Sequence, residues 1–293
     1  MEFRTIVDIL KPDFKIEPCE EMFFVGSCFA DAIGQRFKEE GFPVTINPYG
    51  TMYNPASILH TVKRVAAANS SLFTLHSSPA LADSSLFTLH SSLPKTAFIT
   101  LGTNHVYRLK ETGEIVDNCE KRPAALFQEE ELTVDQCADY LQQAITILRQ
   151  VNPDMHIVLT VSPIRYRKYG YHASQLSKAT LLLAVNTVVS GFAADNVAYF
   201  PAYEIVLDEL RDYRFYASDM LHPSQQAVDY IWERLVDTYF SPEAKAYLEE
   251  WRPLKLALAH KPFNPDAPEY QAFMDKTLLK VEEIRKKYSN FAL

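Results

Sequence analysis

A chain of 293 residues has room for one large α/β domain or for two of roughly 150 residues each. Its 29 basic and 37 acidic residues leave a net charge of -8 and an isoelectric point near 5.5. That balance argues against nucleic acid and anionic membrane as partners and leaves any charged substrate in need of a local basic site. Hydrophobic residues at 47% and charged residues at 23% match soluble globular proteins, which excludes disorder as a description of the whole chain.

Along the chain, short β-branched or aromatic runs alternate with helical patterns, the signature of βαβ units around a parallel sheet. Met22 to Val25 reads as a buried strand, and Phe29, Ile33 and Phe37, spaced by four, form the apolar face of a helix that stops at Gly41. Val44 to Ile46 is a second short strand running into the turn Asn47-Pro48-Tyr49-Gly50, and Ala97 to Leu101 is a third, ending at Gly102. Leu132 to Leu148 reads as a helix with Leu141, Ile145 and Leu148 inward, followed by a strand over His156 to Val161 and a helix over Leu176 to Val189. Val197 to Phe200 is a fifth strand, and Ser224 to Tyr239 a helix whose core stripe is Val228, Ile231, Trp232 and Leu235. Five strands alternating with helices is a flavodoxin-like count.

From Ser241 onward the strand pattern is gone. Ser241-Pro242-Glu243 opens a helix, and a charged helix follows around Pro268 to Tyr288. Its pairs Glu282/Lys286 and Glu283/Lys287 have the spacing of a solvated helix face. The expected organisation is an α/β domain over 1–245 and a helical extension over 246–293. One segment repeats without change: Ser70 to Ser78 recurs as Ser84 to Ser92. Two copies do not make a solenoid, so a tandem duplication in a surface loop is the simplest reading.

The four cysteines, Cys19, Cys28, Cys119 and Cys137, contain no C-x-x-C pair and no histidine at zinc-finger spacing. Neither a disulfide framework nor a structural metal is indicated, and a reducing, cytoplasmic setting is expected. The stretch Met1 to Ile16 is charged throughout, unlike a secretory signal. The most apolar stretch, Ala179 to Ala194, is broken by Asn186, Thr187 and Ser190 and falls short of a membrane span.

Ligands of open parallel sheets bind at the carboxyl ends of the strands, and the polar residues predicted there converge on one chemistry. They are Gly26-Ser27-Cys28-Phe29, Asn47 to Gly50, Gly102-Thr103-Asn104-His105, and Asp219-Met220-Leu221-His222-Pro223. A nucleophile at a strand-to-helix turn gains from the helix N-terminus, which favours an anion and lowers a thiol pKa. Cys28 and Ser27 both qualify, although a cap and a small buried side chain are their ordinary roles. Asp219 and His222, three apart, can fold so that the carboxylate fixes the imidazole, with His222 as general base. Asn104 and Gly50 can offer an amide and a backbone N–H to an oxyanion. The chain has only 8 glycines where average usage gives about 20. Three of them, Gly26, Gly50 and Gly102, stand in these blocks. Arg165 to His172, a dense basic and aromatic loop on the same edge, is a candidate for recognising a phosphate, carboxylate or sugar portion of a substrate.

Phe24-Val25-Gly26-Ser27-Cys28-Phe29-Ala30 contains the five letters that name the GSCFA family, and the sequence resembles that family, grouped with the SGNH (GDSL-type) hydrolases, over about residues 1 to 245. The resemblance implies a three-layer α/β/α flavodoxin-like parallel sheet of about five strands with a C-terminal helical extension. It also implies ester or acyl hydrolysis by a nucleophile, a Gly, an Asn and an Asp-x-x-His, matched here by Gly26 to Phe29, Gly50, Asn104 and Asp219/His222. An ungapped comparison with the Gly-Asp-Ser-Leu block puts Cys28 at the nucleophile position, with Ser27 remaining if the turn is one residue shorter. His105 stands where that superfamily has Asp in its Gly-x-Asn-Asp block, a departure that takes the usual support from Asn104 and leaves His105 behind the site or against substrate.

The expectation is an acyl or acetyl ester hydrolase acting on a small-molecule or carbohydrate substrate, with no cofactor and no metal. Its triad would be Cys28 or Ser27, His222 and Asp219. Its oxyanion hole would be Gly50 and Asn104, and its substrate contacts would include Arg165 and His105. The rivals are an acyltransferase with a thioester donor at the same site, and a non-catalytic module holding a small anion at the helix end near Ser27.

Overall fold

The computed structural model describes residues 4–75, 94–192 and 196–293, with residues 69–75 followed by their backbone alone. The second copy of the repeat, and the end of the first, lie outside the described residues.

Five strands, β1 (Met22–Gly26), β2 (Val44–Ile46), β3 (Thr96–Leu101), β7 (His156–Val161) and β8 (Val197–Tyr199), form a wholly parallel sheet in the order β2-β1-β3-β7-β8. That is the flavodoxin-like order, with β1 next to the switch point. Its register is set by Met22 opposite Val44 and Thr96, and by Thr96 opposite His156. Alternate residues of β1 and β3 face opposite layers, as a pleated strand requires. Phe24 and Phe98 point into one core, shared with α1 (Cys28–Glu39) and α6 (Gln225–Tyr239). Phe23, Val25, Ala97 and Ile99 point into the other, shared with α2 (Pro55–Leu75), α3 (Val134–Val151) and α4 (Gly170–Gly191). Helices thus cover both faces, which is why these strands read as unbroken apolar runs. The sequence stripes bury as expected: Phe29, Ile33 and Phe37 of α1, and Ile231, Trp232 and Leu235 of α6.

Two features depart from the sequence reading. Residues between the second and third strands form α2, capped by Asn54, whose Oδ1 accepts from Ser57 N at 2.9 Å, with Pro55 as its first residue. The first copy of the repeat therefore begins inside a helix, not in a loop. The segment between β3 and α3 builds a second, antiparallel sheet, β4 (His105–Leu109), β5 (Ile115–Val116) and β6 (Phe127–Glu131), in the order β5-β4-β6. From Gln128 to Glu131 β6 is polar on both faces and held by charge, with Arg108 Nη2 3.1 Å from Glu130 Oε2. A strand without an apolar stripe leaves no periodic signal.

Beyond α6, α7 (Pro242–Ala259) is capped by Ser241, and α8 (Pro268–Lys287) packs back on it. The expected boundary at 245/246 falls inside α7. Tyr247 Oη and Trp251 Nε1 donate to the carbonyls of Glu40 and Glu39 at 2.5 and 3.1 Å. These contacts satisfy orphan carbonyls at the C-terminal end of α1. Among the described residues, no helix is long and apolar enough to cross a membrane.

Candidate active site

The turn from β1 into α1 sits at the carboxyl edge of the sheet. Gly26 adopts φ +138°, and a Cβ there would lie 2.0 Å from the carbonyl oxygen of Thr100 on β3, so only glycine fits. Ser27 and Cys28 then divide the two roles open to them. Ser27 is fully buried, and its Oγ accepts from Phe29 N at 3.3 Å and meets Thr100 Oγ1 at 3.1 Å, the arrangement of an N-cap. Cys28 is the first residue of α1, half-buried, with Sγ 3.3 Å from the hydroxyl of Tyr53. Its own N–H belongs to the first turn, whose donors have no partner within the helix.

The loop after β2 wraps beneath this turn. Asn47 Oδ1 accepts from Gly26 N at 2.9 Å and its amide donates to Asp31 of α1 at 2.8 Å, which locks the loop to the helix. Gly50, with φ +89°, donates its N–H to Asn47 O at 2.8 Å, closing the turn. Three residues on, the carbonyl of Tyr53 accepts from both Gly102 N at 2.9 Å and Thr103 N at 2.8 Å, tying this loop to the end of β3.

Asn104 is buried and built into the scaffold: its N–H donates to Ser177 Oγ at 3.0 Å and its Nδ2 to Leu132 O at 2.8 Å. His105 is buried against Tyr169, the rings stacked with centroids 3.7 Å apart. Glu129 lies 3.7 Å from its Nδ1 and Glu131 3.9 Å from its Nε2. Burial lowers the His105 pKa, against the raising pull of the two glutamates.

Asp219 and His222 meet as their spacing suggested. Asp219 Oδ2 lies 2.6 Å from His222 Nδ1, while Oδ1 accepts from the backbone N–H groups of Leu221 and His222 at 2.8 and 3.0 Å. Those two backbone donors, with the ring behind them, hold the Asp219 carboxyl down at about 2. A proton on Nδ1 serves the carboxylate and leaves Nε2 as the basic nitrogen. Arg165 holds this loop in place. Its N–H donates to Leu221 O and its guanidinium to Met220 O, each at 3.1 Å, and the guanidinium packs over Tyr171 and Tyr216 at 4.2 and 5.2 Å.

The nucleophile candidate and the histidine arrive on neighbouring helices. Phe37 of α1 packs edge-on against Trp232 of α6 with centroids 4.9 Å apart, and Arg36 pairs with Asp229 at 3.5 Å. Phe37 is nine residues into its helix and Trp232 seven into its own. Their axes stand roughly 8–10 Å apart, as for any packed pair. Cys28 thus opens α1, and His222 lies on the loop that leads into α6, the helix packed against it. In this arrangement Cys28 Sγ hydrogen-bonds to Tyr53 and His222 to Asp219; the two do not bond each other.

Three groups at or near the edge escaped sequence reasoning. Tyr53 had one signal, its place three residues past Gly50 in a strand-end loop. Lys178 of α4, fully buried, donates to the carbonyls of Gly102 and Ser162 at 2.6 and 2.8 Å, and burial pushes its pKa down to about 7. A lysine in a helical pattern reads as surface, so no signal marked it. His60 and Asp117 form a second imidazole–carboxylate contact, 2.7 Å long, joined by Arg64 at 3.2 Å.

Solved structures to which the chain is similar include a lipolytic G-D-S-L protein from Veillonella parvula, 10% identical with a TM-score of 0.45, covering 75% of this chain and 98% of that one. Others are an acetyl xylan esterase from Butyrivibrio proteoclasticus (12% identity, TM-score 0.41, 76% and 63% covered) and a GDSL-like lipase from Bacteroides thetaiotaomicron (13%, 0.39, 78% and 88%). No curated protein matches the sequence. The family profiles do: one for the C-terminal domain of GSCFA proteins covers residues 251–293, and the GSCFA family profile covers residues 21–235, from the strand that leads to Cys28 to the helix that follows His222. The chain belongs to the GSCFA family.

Proposed function

We propose that this protein hydrolyses acyl esters with Cys28 as nucleophile, His222 as proton shuttle and Asp219 as the group that orients His222. The observation that carries the reading is the Asp219–His222 pair, 2.6 Å long, on the loop that enters α6 beside the helix whose first residue is Cys28. Ser27 supports the assignment by being occupied elsewhere, its hydroxyl buried as the cap of α1.

In the first half-reaction the Cys28 proton passes to His222 Nε2 and Sγ attacks the acyl carbonyl carbon. A C–S bond forms and the carbonyl π pair moves to oxygen. The intermediate collapses, the C–O bond to the alcohol breaks, and His222 returns the proton to the departing alkoxide. Water, deprotonated by His222, then attacks the thioester. The acid leaves and the thiolate regains its proton. Asp219 keeps Nδ1 protonated throughout and supports the imidazolium that forms in each half. Arg165, which clamps the carbonyls of Met220 and Leu221, keeps the pair in place.

Incubation with p-nitrophenyl acetate, followed by intact mass and by peptide mapping of the acylated residue, tests this. Wild type and Ser27→Ala are expected to acquire one acetyl group on Cys28 and to turn over. Cys28→Ala and His222→Ala are expected to lose turnover. Retained turnover in Cys28→Ala would remove the reading. Adding an alcohol acceptor and analysing the products separates hydrolysis from transfer.

A further inference from the structure

Ester hydrolysis at Cys28 requires donors for the oxygen that becomes negative, and the two groups first expected to supply them already spend a hydrogen within the scaffold. The Gly50 N–H closes its own turn onto Asn47 O at 2.8 Å, and the Asn104 amide gives one of its two hydrogens to Leu132 O at 2.8 Å from a side chain only 2% exposed. We infer that Tyr53 is a catalytic residue of this site, its hydroxyl donating to the oxyanion together with the N–H of Cys28; the inference rests on the hydrolase reading given above.

Position comes first. The Tyr53 hydroxyl lies 3.3 Å from Cys28 Sγ. When Sγ bonds to a carbonyl carbon, the carbonyl oxygen becomes the next atom but one from sulfur. A donor already in contact with Sγ on that side therefore needs only a small movement to reach the oxygen at hydrogen-bond length. The hydroxyl stands beside Cys28 at the first turn of α1, where a developing anion is favoured.

Rigidity comes second, because a donor contributes most when its orientation is prepaid by the fold. The Tyr53 carbonyl takes two hydrogen bonds from the end of β3, from Gly102 N and Thr103 N. Its ring meets the Tyr166 ring edge-on with centroids 5.9 Å apart. Gly102 makes room for both: a Cβ there would lie 2.8 Å from Tyr166 Oη and 3.0 Å from Tyr53 O. The phenol is thus gripped at its backbone and along its ring, with its hydroxyl directed to Cys28. Protonation state comes third. Burial, reinforced by the hydrogen bond and the charge of Cys28, raises the Tyr53 pKa, so the hydroxyl keeps its proton and acts as donor across the working range.

Tyr53→Phe deletes the hydroxyl and preserves the ring that packs on Tyr166. With p-nitrophenyl acetate, kcat is expected to fall by about 10²–10³, the usual loss for one oxyanion donor, with KM within about 2-fold of wild type. Alkylation of Cys28 by iodoacetamide forms no oxyanion, and its rate in Tyr53→Phe is expected to match wild type. Wild-type kcat in Tyr53→Phe would overturn the inference. An alkylation rate that falls in step with kcat would overturn it too, since the hydroxyl would then act on the thiol and not on the oxyanion. Cys28→Ala in the same assays separates the two claims. If it keeps turning over, the hydrolase reading itself fails. If it is inert while Tyr53→Phe is fully active, only the role of Tyr53 is lost.

Discussion

Lys178 offers the sharpest physical test of the interior beneath the site. It is 2% exposed, and among the described residues no carboxylate lies within ion-pair reach. Its partners are the carbonyls of Gly102 and Ser162, at the ends of β3 and β7, with the Tyr166 and Tyr203 rings 5.5 and 5.8 Å away. A neutral amine has two hydrogens for those two carbonyls, and desolvation favours that form, which lowers the pKa to about 7 from an ordinary 10.5. The sign follows from linkage. Between these two values the unfolded chain binds the proton and the folded chain does not, so folding stability rises with pH there, by up to about 1.4 kcal/mol per unit. Below pH 7 both states carry the proton and the effect vanishes. Lys178→Met removes the titration but leaves two buried carbonyls without a donor, at roughly 1–3 kcal/mol each. The difference in stability between wild type and Lys178→Met, from urea melts at several pH values, is therefore expected to grow by about 2 kcal/mol from pH 7 to pH 9 in favour of wild type. Taking the difference cancels the titration of buried tyrosines and cysteines common to both proteins. A difference that stays flat over that window would refute the argument.

Four further outcomes are expected. Ser27→Ala should lose the cap of α1, about 1 kcal/mol in a urea melt, while keeping ester turnover within a few-fold. Asp219→Asn should lower kcat by on the order of 10³–10⁴, because the imidazole loses its orienting partner. With Asp219 held at about 2, the acid limb of the wild-type kcat/KM profile should lie well above the Asp219 titration; a limb near pH 2 would contradict this. Trp251→Ala should cost about 3–5 kcal/mol by thermal or urea unfolding, since the indole is buried and caps Glu39 O through its N–H.

The parallel sheet was legible because its three central strands are buried on both faces and its edge strands are short apolar runs. Val44–Ile46 and His156–Val161 emerge with the bounds their apolar runs suggest, and the other strands within a residue at either end. Helix α2 went unread although Asn54-Pro55 is a cap followed by a proline at the first position and Ile58, Leu59, Val62 and Val65 bury on one side. The antiparallel sheet was illegible for a different reason, since β6 carries charge where a strand normally carries an apolar stripe. At the site, Asp219 and His222 are three apart in sequence, so local geometry announces their contact. Tyr53 meets Cys28 across 25 residues, and Lys178 meets Gly102 across 76, and neither contact has a local signature. The Arg165 loop read as a surface for substrate; within the fold the guanidinium donates to Met220 O and the Arg165 N–H to Leu221 O, both in the His222 loop.

The attachment of α7 to the far end of α1 bears on how the site comes into being. One tip of α1 carries the thiol and the other rests on Tyr247 and Trp251, while its flank lies against the helix that follows His222. Cys28 is made 194 residues before His222, and the supports at Tyr247 and Trp251 come later still. A nascent chain accordingly presents Cys28 long before His222, the base proposed for it, and pairing over such separations is slow to form. Turnover would then appear only when the last third of the chain has docked. In a refolding experiment, the return of activity would time the docking of that last third, after secondary structure had already formed.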